Sequence, residues 1–252
     1  MAANAFEKHG IAHLSPSTCN LFLSSPAMFV LQKVLKKSTS VGAAAHRGTA
    51  VEEGIVHGLF NPQASVESCA DLAKKKFRQL TALSGDPRTT KEGDAIGAMV
   101  IQGISLLRPY GKPTSAQGKI ELTLDGVSVP YIGYYDVVWE QHGILIDIKT
   151  SHALPSKISV NHARQIALYR AATGDNMSAR IAYITPKKAH ALELENARQH
   201  LDSLAKIGKA IEKFLSVSDD PQELAAMTIP DVDSFYFNDP MTRQLAFEIW
   251  GV

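Results

Sequence analysis

Cysteine is scarce in this chain: only Cys19 and Cys69 occur among 252 residues. Two thiols cannot build a disulfide framework, a four-cysteine zinc site or an iron–sulfur cluster. They read instead as free thiols in a reducing compartment. An excess of one charge sign is also missing. Lys plus Arg number 26 and Asp plus Glu 25, a net charge of +1. That excludes a tail-like polycationic nucleic-acid binder, yet a local basic groove survives, because net charge averages over opposing patches. No apolar run reaches the roughly 18 residues of a membrane span. Met1–Gly10 carries Glu7, Lys8 and His9 in place of an apolar stretch, so no secretory leader is expected. The expected setting is the cytoplasm, away from any membrane. Internal repeats and low-complexity tracts are absent as well.

What is present suits a folded globular chain, with 45% hydrophobic and 20% charged residues. The length predicts a single domain, residues 1–252, with a core to bury. Residues 1–112 read as mainly helical. Ser15-Pro16-Ser17 opens a run to about Leu35, with Pro26 as a break or a new start. Helical spacing follows over 43–60, 65–83 and 92–107, where Ile96, Met99, Gly103 and Leu106 share a face. The pattern then changes to period two, which predicts strands over 116–124, 127–140 and 144–150 with turns at Asp125-Gly126 and His142-Gly143. A helix over 159–172, a strand over 179–185, a long helix over 191–215 and a short one near 241–250 complete the reading. The fold class is α/β (α+β): a central mixed sheet over 113–190 flanked by helices, followed by a helical part over 191–252.

The chemistry concentrates in Ile144-Leu145-Ile146-Asp147-Ile148-Lys149-Thr150. On a strand, Ile144, Ile146 and Ile148 face one way, and Asp147 and Lys149 face the other side by side. The strand is apolar enough to be central, and buried charges must be paired or hold a metal. Taken alone, the pair also reads as a structural ion pair. Asp136, in Gly133-Tyr134-Tyr135-Asp136, adds a second carboxylate. Reflection about His142 sets it opposite Ile148, and a small shift of the turn centre brings both carboxylates to one face. Two carboxylates and a lysine at one point suit Mg²⁺ or Mn²⁺, in one or two ions, and phosphodiester chemistry. Glu52 shares a helical stripe with Gly48, Ile55 and Leu59 and so points inward, as a metal ligand or a salt-bridge partner, whereas Glu53 should be solvated. Glu121, on the preceding strand, reads either as a further ligand or as an exposed strand residue. Gln165 and Tyr169 lie four apart on one helix face, either as a substrate clamp or as a core-edge pair.

Together these segments resemble the PD-(D/E)XK nuclease superfamily, and in particular its RecB-like exonuclease branch. The resemblance runs from about Leu14 to Gly174 through Leu14-Ser15-Pro16-Ser17, Arg47-Gly48-Thr49, Gly133-Tyr134-Tyr135-Asp136, Asp147-Ile148-Lys149-Thr150 and Gln165…Tyr169. It implies a restriction-endonuclease-like core and metal-dependent hydrolysis of DNA. It makes Asp136 and Asp147 metal ligands, Lys149 the catalytic lysine, and Gln165 and Tyr169 DNA contacts. Glu52 stands where the RecB-like branch often has histidine. Ser25-Pro26 stands where cluster-bearing relatives have a cysteine before proline, so no iron–sulfur cluster is implied. A stand-alone exonuclease of recombination, repair or phage DNA metabolism is the leading expectation, whether encoded by a cell or by a phage acting in its host. A structure-specific endonuclease or a non-catalytic DNA-binding protein is the alternative. Arg47, Lys119, Lys157, Arg164 and Lys187 are the candidate backbone contacts. A single-strand annealing or recombination protein is the expected kind of protein partner.

Overall fold

Polar caps and prolines decide where the helices begin. The Ser15 hydroxyl accepts the Thr18 N–H at 3.1 Å, with Pro16 in the first turn, and Ser25 does the same for Met28 ahead of Pro26. The computed structural model describes residues 3–252. Helices α1 (Ala5–Lys8), α2 (Pro16–Ser24), α3 (Pro26–Phe29), α4 (Ala43–Phe60), α5 (Val66–Thr81) and α6 (Thr89–Leu107) come first. Strands β1 (Ser115–Leu122), β2 (Tyr131–Trp139) and β3 (Ile144–Thr150) follow. After them come α7 (Val160–Thr173), β4 (Ser178–Ile184), β5 (Ala189–Glu193), α8 (Ala197–Leu215), α9 (Pro221–Ala226) and α10 (Pro240–Trp250). The break expected at Pro26 is there, and the chain beyond α3 continues as one wide turn over Val30–Val34.

The five strands lie in the order β1-β2-β3-β4-β5. β2 and β3 are antiparallel, β3 and β4 parallel, and β4 and β5 antiparallel. The central mixed sheet flanked by helices is therefore present. Parallel pairing of β3 with β4 requires a crossover, which α7 supplies. β5 corrects the expectation of a helix from Ala191: Ala189–Glu193 pairs with β4, and the helix starts only at Ala197. Five residues between a proline turn and a long amphipathic helix carry too short a period to stand apart from the helical pattern.

The chain gathers into two compact units built from separated segments. One holds the chain up to Ser40 with Glu121–Gly133 and Asn196–Val252, and the other holds Val41–Ile120 with Tyr134–Glu195. In the first, Phe237 and Ala246 pack with Ala27, Met28 and Leu31, and the buried Tyr131 hydroxyl donates to the Leu204 carbonyl at 2.7 Å. In the second, Val51, Ile55, Phe77, Ile96, Met99 and Ile104 of α4–α6 cover the sheet face formed by Val137, Ile144, Ile146, Ile148 and Ile184.

Glycine lets α4 and α5 approach. A Cβ at Gly54 would stand 2.8 Å from the Cys69 carbonyl oxygen and 2.9 Å from Ala73 Cβ. Backbone cannot swing aside as a side-chain tip can. Gly54→Ala should therefore cost about 1–3 kcal/mol of overpacking, offset by the roughly 1 kcal/mol that alanine gains in helix propensity. The thermal midpoint should fall by a few degrees, and a midpoint at or above the parent's would show that α4 and α5 separate freely.

Candidate metal and phosphodiester site

The turn between β2 and β3 sets the site. Glu140–His142 form one 3₁₀ turn, and Gly143 (φ 60°) closes it in the left-handed region. Trp139 then pairs with Ile144, Val138 with Leu145 and Val137 with Ile146. The turn centre lies between Gln141 and His142, half a residue earlier than a reflection about His142. Asp136 thus comes level with Asp147 instead of Ile148, the shift needed to bring the two acids to one face.

The ladder opens at that point. Asp136 Oδ2 accepts the Ile148 N–H at 2.6 Å, so a side chain takes the place of a strand partner. Ile144, Ile146 and Ile148 face the helical core as expected, and Asp147 and Lys149 face the other way. Asp147 is 0% exposed. Lys149 Nζ is ion-paired with Asp147 Oδ2 at 2.6 Å, and Asp147 Oδ1 has no hydrogen-bond partner among the described residues.

Electrostatics binds these groups into one cluster. Burial pushes the Asp136 carboxyl well above the usual carboxylate range, and the negative charges of Asp147 and Glu52 push it further. Burial also raises Glu52, against the hydrogen bond from Gln117, and Asp147 adds to the rise. Burial pulls Lys149 down, but Asp147 and Asp136 outweigh it and hold the ammonium above its usual range. Glu52 is half-buried on α4, and its Oε1 accepts from Gln117 Nε2 at 3.1 Å. Gln117 itself sits at φ 52°, a left-handed conformation seldom found without glycine.

The remaining expected residues divide. Gln165 Nε2 donates to the Tyr169 hydroxyl at 2.8 Å, and Tyr169, buried on α7, has its phenol pushed up to about 12 by burial and by the Asp147 charge, against the Gln165 hydrogen bond. Arg164 is half-buried and donates to Asn161 Oδ1 at 3.3 Å. Glu121 is exposed on β1 and belongs to the first unit, whereas every other acid named here belongs to the second. Lys119, Lys157 and Lys187 are exposed. Arg47 departs from its expected place at the DNA backbone: it is 5% exposed, and its guanidinium pairs with Glu92 and donates to the Thr150 carbonyl at 3.1 Å. Glu53, expected in solvent, pairs with Lys76 at 3.0 Å.

Three residues went unnoticed in the sequence. Gln117 carries no motif. Tyr183 is the cross-strand partner of Lys149, which requires the β3–β4 register. His162 precedes Gln165 by three residues, and that spacing was a readable signal.

The donor set fits a hard divalent cation. A fully buried carboxylate with one oxygen unpartnered, beside a second carboxyl whose ionisation is opposed by burial and then by neighbouring negative charge, calls for more positive charge than one lysine supplies. Among the described residues no group of three or more His, Cys, Asp or Glu side chains is arranged to hold an ion. Mg²⁺ does not require one: one or two carboxylates suffice, with water and phosphate oxygens completing its shell.

A family model described as PD-(D/E)XK nuclease superfamily matches residues 13–235. No curated protein matches the chain. Among solved structures, one titled "Crystal structure of SSO0001" is similar at 16% identity, over 73% of this chain and 84% of that one, with a TM-score of 0.34.

Proposed function

The chain belongs to the PD-(D/E)XK nuclease superfamily, and on that footing we propose that it is a divalent-metal-dependent deoxyribonuclease acting from DNA ends. The observation that carries this reading is the Asp147 carboxylate, fully buried with one oxygen unpartnered, ion-paired with Lys149 and level with Asp136. Asp136 and Asp147 would hold Mg²⁺ or Mn²⁺, with Glu52 as the third acid. Bound there, the cation supplies neutralisation of phosphate charge and acidification of water.

The chain's own groups do the rest. Lys149 stays an ammonium and places a compact positive charge where negative charge grows on the phosphoryl oxygens. Gln117 fixes the Glu52 carboxylate. Tyr169 keeps its proton at neutral pH, so Gln165 and Tyr169 offer neutral donors to the neighbouring nucleotide. Arg47 acts from behind the site, holding the end of β3 against α4. Such an activity fits DNA recombination, repair or phage DNA processing.

The test is release of nucleotides from linear duplex DNA with Mg²⁺ while closed circular DNA stays intact. Cutting of the closed circle would make the protein an endonuclease, and no turnover of either substrate sinks the reading. Binding should show independently of turnover. At a hundred times the dissociation constant, the cation adds about 2.7 kcal/mol of stability, or very roughly 5–10 °C in midpoint for a chain of this size. The Asp147→Asn protein should lose that shift, and an equal shift in both proteins would place the ion elsewhere.

A further inference from the structure

Three side chains, not two, line the face of α7 that carries Gln165 and Tyr169. His162, Gln165 and Tyr169 stand at i, i+3 and i+7, which share one helical face. His162 is half-buried, and its Nδ1 reaches the hydroxyl of Tyr183, which stands on the same sheet face as Lys149. Tyr183 is the register partner of Lys149 on β4, and its ring lies 5.6 Å from the imidazole, centroid to centroid.

Hydrogen bonding holds one nitrogen of this imidazole on a phenol hydroxyl. His162 Nδ1 lies 2.8 Å from the Tyr183 hydroxyl. That oxygen already accepts the Ser159 N–H at 3.4 Å, so the phenolic proton is free to point at Nδ1. Burial raises the Tyr183 phenol, which keeps that proton in place. With the phenol donating, Nδ1 is an acceptor and the ring proton is placed on Nε2, the tautomer that a neutral Nε2–H donor requires. Burial, with Lys149 nearby, lowers the imidazole's affinity for a second proton. Ser159 also caps α7, its hydroxyl accepting the His162 N–H at 3.3 Å. The start of the helix and the orientation of the imidazole therefore share one set of bonds.

A half-buried histidine held by its Nδ1 on Tyr183, on the helix face of the Gln165 and Tyr169 that the nuclease reading places against substrate, is arranged to act as a neutral donor. We infer that His162 is a further substrate-contacting residue, which presents Nε2–H to a phosphate oxygen of the nucleic-acid strand on the Lys149 face, and that Tyr183 is its positioning residue. This rests on the nuclease reading above. A neutral donor there adds a hydrogen bond without a second positive charge next to Lys149, which would compete for the same carboxylates.

The experiment compares steady-state cleavage of linear DNA by the parent, His162→Phe, His162→Gln and Tyr183→Phe proteins. Nitrogen NMR of ¹⁵N-histidine-labelled protein accompanies it. His162→Phe keeps the ring but removes the donor, and kcat/KM should fall roughly ten- to hundredfold, as for loss of one hydrogen bond to a charged group, with the thermal midpoint held. Glutamine places an amide N–H near the position of Nε2 and should restore activity to within about threefold of the parent. The parent spectrum should show His162 protonated on Nε2 alone, and Tyr183→Phe should mix the two tautomers. A His162→Phe protein as active as the parent overturns the inference, and so does a parent His162 protonated on Nδ1, even where the Phe variant does not fold. A parent that cuts no DNA overturns the nuclease reading and this inference with it, whereas a cutting parent matched by His162→Phe overturns this one alone.

Discussion

A Lys149→Ala protein should cleave DNA at least about 10²–10³-fold more slowly than the parent, the loss expected when one preorganised charged donor leaves a transition state. Among the described residues, Lys149 carries the only ammonium in a cluster with Asp147, Asp136 and Glu52. Nothing on the same strand face can take over its charge. Lys149→Arg should recover little, since a planar fork cannot occupy the place of a compact ammonium 2.6 Å from Asp147 Oδ2. Stability is the control. Removing the ammonium leaves the Asp147 carboxylate buried and without its counter-charge, so Lys149→Ala should also unfold more easily without metal. Asp147→Asn should also lose cleavage but cost less metal-free stability than Lys149→Ala, because it unpairs Lys149 while deleting one of three repelling acids. The measurements are initial rates on linear DNA and metal-free melting. A Lys149→Ala enzyme within tenfold of the parent would remove Lys149 from the chemistry.

Much of this arrangement is legible in the sequence, for a physical reason. Period-two alternation places Asp147 beside Lys149 whatever the surroundings, because side-chain direction on a strand is a local property. The i, i+4 pair Gln165 and Tyr169 was legible on the same ground. Register was only half legible. The loop length is visible in the sequence, but whether it centres on His142 or before it depends on the 3₁₀ turn that Gly143 closes. Glu52 reached the cluster as its stripe implied, although the residue that holds it, Gln117, sits on a strand in a conformation no propensity predicts. Tyr183 was out of reach, since its neighbour Lys149 is fixed by parallel pairing across a helix. The place of Arg47 is not legible in the sequence, because an arginine next to a motif glycine looks the same whether it faces solvent or a buried glutamate. Only the packing of α6, which brings Glu92, separates the two. β5 was missed because five residues of mixed polarity carry too weak a period to be told from the start of a helix.

That buried pair carries the second large effect. Arg47 and Glu92 have side-chain exposures of 6% each, and the guanidinium also reaches Thr150, the residue after Lys149. His152 Nε2 lies 2.9 Å from the same Glu92 oxygen atom. Arg47→Ala would strand a carboxylate in the interior, at a cost of about 3–5 kcal/mol for breaking a buried pair. His152 stays beside Glu92, so the low end applies, and the midpoint should fall by roughly 6–12 °C. Arg47→Met combined with Glu92→Leu removes both charges and should recover most of that loss. Cleavage separates two roles for Arg47. If it holds β3 against α4, the double variant should stay folded but cut more slowly, because the Thr150 bonds that fix the strand end are gone. Acid supplies a further check. Burial raises the Glu92 carboxyl, but the bonds from His152 and Arg47 outweigh it and leave the group below its usual range in the folded protein. A lowered folded value means that the contribution is complete above the unfolded-state value near 4.5 and is lost as pH falls through the folded one. The melting difference between the parent and Glu92→Gln should therefore be largest near neutrality and shrink below about pH 4.5. A difference that stays constant from pH 7 to pH 3 would mean that Glu92 is not ionised in the native pair and that Arg47 is held by Thr150 alone.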